Sequence, residues 1–540
     1  MMQHRALLAV ALALLILVLY QEFVLKPYYG SPRGVSPTPS EGVRAPERAP
    51  APPPPEPETA AEEAELPAAE AREIEIETEL FRAVFTSAGG RLKRFDLKHY
   101  RLDPTPGSPP VPMVHPSGGE YPLGLELRGR GLERPLRDLG VAYAVRGEAR
   151  RLRGGEEATL AFLWRAPDIE IEKRFRFRGD RYPFSLEIDV RKLPKDVTEL
   201  GLQWVEAAER KVSGYYSFLG AVAVVDGKLV KLRMADLERK VQPYRGVVEW
   251  AGYADTYFLS ALLPGSPEST DLWLFRRNGT AEARLVVPVR SGSLVSFRVF
   301  LGPKNFDVLE SVHPTLRRAI DFGYFAFVAI PFLHILNFLH RFTGNYGVDI
   351  ILLTVAIKLL FWPLTQKSFR SMKELQKLQP QMQKIREKFR DDPEKMQREI
   401  MELYRRHKVN PLSGCLPMLL QLPVFIGLYN TLLSAIELRH APFALWIRDL
   451  SQPDRLGHFA IPFVSPPGIP VLTLLMGASM FVQQWISPPA GDPAQQKLML
   501  FMPLVFTVIF INVPSGLVLY WLVNNVLTIA QQYFLLRSSK

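Results

Sequence analysis

Six stretches of this chain are apolar over about the length a helix needs to cross a bilayer. They are Ala6 to Leu25, Tyr346 to Thr365, Gly414 to Leu438, Ile469 to Ser487, Lys497 to Val513 and Ser515 to Leu536. Hydrocarbon offers no partners to backbone N–H and C=O groups, so an apolar segment that crosses it must bond internally, as an α-helix. The expected fold class is therefore an α-helical polytopic membrane protein of six spans. Between the first and second stretches the sequence turns polar and charged, which calls for a large water-exposed domain.

Basic residues set the expected orientation. His4 and Arg5 precede the first stretch, and residues 366–411 carry 13 Lys/Arg against 7 Asp/Glu. Positive charge stays on the cytoplasmic side, so both termini are expected there and the large domain on the extracytoplasmic side. The formal net charge of +11 suits nucleic acid or anionic lipid, and its concentration beside span ends favours the lipid surface. After the first apolar core, Tyr20 to Leu25 offers no small-x-small cleavage site. An uncleaved signal anchor over 1–26 is expected, without lipoprotein processing, since no cysteine lies there. The single cysteine, Cys415, excludes an intramolecular disulfide framework and reads as a small buried hydrophobe.

Residues 27–72 are rich in Pro, Ala and Glu, too poor in apolar surface to offset their chain entropy. They form the expected tether. From Glu73 to Glu77 charged and apolar residues alternate, a turn follows at Ser87–Gly90, and Ile169, Ile171, Phe175 and Phe177 share one face of another alternating run. Short runs of this kind, bounded by Gly, Pro and Asp, predict one large β-sandwich over 73–303. His99 and His115 lie in it without ligand-like spacing, so neither a metal site nor a catalytic residue is expected.

Residues 304–345 are expected to include an amphipathic helix from His313 to Arg341 that lies along the membrane surface; its length also allows crossing. The last five spans, over 346–540, enclose a helical hairpin at 366–411 on the cytoplasmic side. Asp392 is its predicted N-cap and Pro393 the first residue of its second helix, with Pro380 kinking the first. Near the middle of the second span stands Lys358. A lysine at that depth costs about 2.5–3.5 kcal/mol on the insertion scale, and such residues face protein or water and mark function. Snorkelling to the interface is the other reading, over one to two helical turns. Thr354, Gln421, Asn430, Gln483, Gln484, Asn524, Asn525 and Thr528 could line a wet groove with it or only bridge helices.

Several motifs together resemble the YidC family of membrane-protein insertases, over about residues 305 to 536. Lys408 to Pro417, then Gln421 and Pro423, are similar to the family's entry into its third span. Leu438 to Leu450, with Pro442, Trp446 and Asp449, resembles the loop that follows, and Phe501-Met-Pro503 and Pro514 to Trp521 resemble the last two spans. The anchor, tether and β domain resemble the Gram-negative form in architecture. The resemblance implies an insertase and folding chaperone that passes the polar flanks of nascent transmembrane segments through a hydrophilic groove, alone or with the Sec translocon. It places Thr354, Gln484 and Trp521 in that groove with Lys358, and the expected lining also includes Tyr520 and Asn525. The family carries arginine where this chain has Lys358; lysine keeps the charge and loses the rigid bidentate fork. Implied partners are nascent membrane proteins, the Sec translocon, anionic lipids and, through the basic cytoplasmic loops, the ribosome. The tail Arg537 to Lys540 is short, so little ribosome contact is expected from it.

No cofactor is expected, and no Gly-x-x-x-x-Gly-Lys-Ser/Thr loop suggests ATP hydrolysis. Two other classes compete with this reading. A secondary transporter would place carboxylates or paired charges at the midplane and show repeated halves, and neither is visible here. A membrane-anchored glycan-binding or glycan-processing protein would work through its β domain.

Overall fold

The computed structural model describes residues 71–537, apart from 117, 131, 133, 209–217, 238–241, 278, 324, 408–415, 461–463, 465 and 487–492. The expected signal anchor, almost all of the tether, Cys415 and most of the Lys408–Pro417 motif lie outside the described residues. Two compact units divide at Ile320/Asp321.

The first unit is built from β-strands, which form sheets of five, nine and six strands. Alternation explains the pairing. Ile74 and Ile76 point inward from Glu73–Glu77 and lie opposite Phe85 and Ala83 of the antiparallel strand Phe81–Thr86. The strand Ile169–Arg178 buries Ile169, Ile171, Phe175 and Phe177. Phe85 of the five-stranded sheet meets Phe175 and Phe177 of the nine-stranded one, with ring centroids 4.8 and 5.6 Å apart. Rings packed at these distances add to the area they remove from water. The turn before Arg91 needs glycine: Gly90 has φ +54°, and a Cβ there would stand 3.0 Å from that of Phe162.

The same period of two carries a charge into the core. Lys173 falls between Ile171 and Phe175 and is 0% exposed. Its ammonium donates to the Gly89 carbonyl at 2.6 Å, to the Leu123 carbonyl at 2.9 Å and to Asp138 Oδ2 at 2.6 Å. Arg91 donates to the other oxygen of Asp138 at 2.7 Å, and the Tyr143 hydroxyl donates to Oδ2 at 3.2 Å. Burial alone would raise the Asp138 carboxyl; Lys173 and Arg91 outweigh it and hold the group below its usual value. A second buried carboxylate, Glu126, is gripped by Arg128, Arg137 and Arg284. The three arginines likewise overcome burial and keep it low.

After the last strand, Ser293–Pro303, come α1 (Phe306–Val312) and a 3-10 turn at Pro314–Ala319, which still belong to the first unit. Residues 304–345 are therefore not one helical element, and the helix expected from His313 starts later. Pro314 cannot continue α1, the Asp321 carboxylate accepts from Gly323 N at 2.9 Å, and Gly323 has φ +62°. The next helix, α2 (Ala326–Thr343), begins beyond this turn and stops at left-handed Gly344.

The second unit contains α2, α3 (Tyr346–Lys377), α4 (Gln379–Lys388), α5 (Pro393–Arg406), α6 (Leu416–Ser434), α7 (Val471–Ile486), α8 (Pro493–Phe510) and α9 (Ser515–Arg537). Among the described residues α2 and Tyr346–Ser371 are long and apolar enough to cross a membrane, with mean hydropathy 1.3 and 1.9; Val471–Ile486 and Met499–Phe510 are shorter apolar helices. Asp392 caps α5 by accepting from Lys395 N at 3.0 Å. Pro380 does more than kink: α3 stops at Lys377 and α4 starts anew at Gln379, because proline lacks the N–H that would continue the ladder.

Helix α9 packs along α3 and α7, α8 along α7, and α2 along α6. Gly427 permits the last approach, since a Cβ there would stand 2.7 Å from Val328 Cγ1. The Thr431 hydroxyl then donates across it to the Ala329 carbonyl at 3.0 Å. The segment between α6 and α7 is pinned by Asp449, which accepts from His440 N at 3.1 Å and Ser451 N at 2.9 Å. Asp454 caps α7 at Leu472 N, 2.7 Å away.

Candidate functional site

The helical unit has its polarity turned inside out. Leu359 and Leu360, which follow Lys358 on α3, are 64% and 72% exposed, and Trp485, Leu504 and Val508 also face outward. Thr354, Asn525, Thr528 and Gln531 are buried. Exposed apolar surface on this scale marks contact with lipid or another apolar partner, while polar groups facing a helix bundle's interior either bond across helices or line a path for polar groups.

Lys358 stands 12 residues into α3, about 18 Å along its axis at 1.5 Å per residue. The side chain is half-buried, and its ammonium donates to Thr528 Oγ1 of α9 at 2.7 Å. That hydroxyl donates in turn to the Asn524 carbonyl at 2.6 Å, so it is satisfied in both roles. No carboxylate among the described residues pairs with Lys358. One turn earlier on α3, Thr354 bonds back to the Ile350 carbonyl at 2.6 Å. One turn earlier on α9, the Asn525 amide donates to Ser479 Oγ of α7 at 3.0 Å. Polar side chains of α3, α7 and α9 thus form an interior seam that holds one cation, bonded from α3 to α9 and, one turn earlier, from α9 to α7.

The other expected lining residues sit elsewhere. Tyr520 is buried near the start of α9, where its hydroxyl is bonded by the Gln421 amide of α6. Trp521 is ringed by Phe425, Phe506 and Phe510 at 4.9, 6.0 and 5.2 Å between centroids. These two residues tie α9 to α6 and α8, about 10 Å along the axis from Thr528, and do not touch Lys358. Gln484 lies half-buried on α7, five residues beyond Ser479. Two members of the interior set were not singled out from sequence: Ser479, small and unremarkable in an apolar run, and Gln531. Its signal was the recurrence of Asn524, Thr528 and Gln531 at helical spacing.

The β-rich unit holds a small pocket lined by Met113, His115, Glu206, Tyr253 and Ser260, among others. His115 Nδ1 lies 2.8 Å from Glu206 Oε1 there, a proximity that sequence spacing did not reveal. Among the described residues no three His, Cys, Asp or Glu gather as metal ligands.

Two family profiles match the chain, "60Kd inner membrane protein" over residues 338–540 and "YidC periplasmic domain" over residues 73–335. The membrane protein insertase YidC of Geobacter sulfurreducens is 41% identical over 474 residues, covering 86% of each chain. That of Syntrophobacter fumaroxidans is 39% identical over 561 residues, covering 99% of this chain and 100% of the other. A crystal structure of an active YidC insertase with its first transmembrane domain resolved aligns with 86% of this chain and 92% of its own, at 20% identity and a TM-score of 0.37. The chain belongs to the YidC family of membrane protein insertases.

Proposed function

We propose that this chain inserts nascent membrane proteins by giving the polar flank of an incoming segment a short wet path along the seam around Lys358. The observation that carries this reading is the Lys358–Thr528 hydrogen bond inside a bundle whose exterior is apolar. A cation so placed, held by a neutral hydroxyl rather than a carboxylate, keeps its charge available to an acidic group on the substrate. The driving force is the substrate's own: about 20 apolar residues entering lipid gain several kcal/mol in sum. The protein lowers the barrier for what must follow, without bond chemistry. Thr354, Gln484, Asn525, Tyr520 and Trp521 are the proposed lining.

The proposed topology has six spans, both termini in the cytoplasm and the β-rich domain in the periplasm of a bacterial inner membrane. Helix length supports it. At 32 residues, α3 extends about 48 Å against a hydrocarbon core of about 30 Å, so its last turns emerge and lead into α4 and α5. Their basic surface is the proposed contact for anionic lipid and for the ribosome, and the Sec translocon is the proposed partner for complex substrates. The test is insertion of single-span substrates with acidic or neutral flanks by Lys358→Ala and Lys358→Arg at equal expression. The arginine variant is expected to retain insertion and the alanine variant to lose it for acidic flanks; equal activity of the alanine variant on every substrate would overturn the reading.

A further inference from the structure

Gln531 lies one turn beyond Thr528 on α9 and is 1% exposed, and neither its amide nitrogen nor its amide oxygen has a hydrogen-bond partner among the described residues. A buried carboxamide left unbonded forfeits the hydration it had in water, and a methionine of similar volume would fill the same space without that cost. The position is also telling. Gln531 stands 16 residues into α9, about 24 Å along its axis, next to the turn that holds Lys358. On its other neighbours the helix places bonded groups: Thr528 with Lys358, and Asn525 with Ser479. Gln531 is the member of this stripe whose donor and acceptor are both unspent within the described protein.

We infer that Gln531 is a positioning residue for the substrate backbone, its carboxamide pairing with a peptide unit of the incoming flank. The chemistry is matched. A primary amide offers one N–H and one C=O side by side, which complement the C=O and N–H of an extended peptide. A flank that is not yet helical carries such groups unsatisfied, and in a low-dielectric interior each one is expensive. Lys358 reads the charge of a substrate side chain; Gln531 reads nothing in the side chains and holds the main chain. Its contribution is therefore independent of flank charge, whereas that of Lys358 is not. The inference rests on the proposed groove around Lys358.

Two measurements on the full chain in proteoliposomes test it. Gln531→Met is expected to slow insertion by about three- to tenfold, one net hydrogen bond, equally for acidic and neutral flanks, with a melting temperature equal to or above that of the parent. A lower melting temperature with parallel loss of insertion would make the amide a structural group, and unchanged insertion would make it idle; either overturns the inference. In the second measurement Cys415 is replaced by serine, and Gln531→Cys or Lys358→Cys is oxidised against a neutral-flanked substrate halted in transit with a cysteine in that flank. Crosslinks from both positions are expected. A crosslink from Lys358→Cys alone would refute the role of Gln531 and leave the groove, while none from either would refute the groove itself.

Discussion

Asp138 is the residue on which the core of the β-rich unit turns. It is fully buried between Lys173 and Arg91, so Asp138→Asn would leave two buried cations facing each other. Breaking a buried pair in this way costs about 3–5 kcal/mol. Lys173→Met is expected to cost less, because Arg91 and Asp138 remain a balanced pair. Chemical denaturation followed by the fluorescence of buried Trp204 and Trp250 measures both, and the reverse ranking would contradict this account. Acid acts on the same groups. Asp138 and Glu126 titrate below their ordinary values of 3.8 and 4.5, so an unfolded chain takes up protons at a pH where the folded one does not. Their stabilisation is present in full above those values and is lost as pH falls from them through the lower values the groups have in the folded chain. The fluorescence-detected melting temperature is expected to be level near neutrality and to fall below about pH 4; a rise on acidification would contradict it. None of this pairing was legible in the sequence. Alternation pointed out the inward face of Ile171 and Phe175, and with it the place of Lys173, but its partner lies 35 residues away in a strand-poor stretch that carries no periodicity. Lys358 was legible by contrast, since a lysine in an apolar run needs no partner to be conspicuous, whereas Thr528, 170 residues distant, could not be assigned to it.

At the scale of elements, what could be read was what local chemistry decides. Asp392 and Pro393 announced the start of α5, and Pro380 announced a kink, though not that α3 would end outright. The helix expected from His313 starts only at Ala326 for an equally local reason: Pro314 and the Asp321–Gly323 turn outweigh the apolar spacing around them. Which helices lie side by side was not legible, because α3, α7 and α9 are brought together by packing across long loops. The pair α4 and α5 is a separable element, with Tyr404 touching Met382 at 3.4 Å across its seam. Replacing residues 379–406 with a short Gly/Ser linker is expected to abolish insertion while trypsin resistance of the remaining helices is kept. Insertion at the parental rate by such a variant would reduce the pair to an orienting charge.

On the scale of the whole molecule, the two units divide at Ile320/Asp321, and the seam around Lys358 lies wholly within the second. A chain lacking the β-rich unit, with residues 1–26 joined ahead of Asp321, is therefore expected to insert simple single-span substrates. Failure confined to translocon-dependent substrates would mark the missing unit as a docking module, and failure with all substrates in a stable, correctly oriented chain would bring it into the mechanism. This protein, alone and without nucleotide, is expected to lower the barrier for a polar flank. The most direct measurement is protease protection of a short acidic-flanked substrate added to liposomes that contain the purified full chain and no other protein. Protected substrate is expected well above the level of protein-free liposomes, with a selective loss of that protection in Lys358→Ala; protection no greater than in empty liposomes would contradict the proposed function.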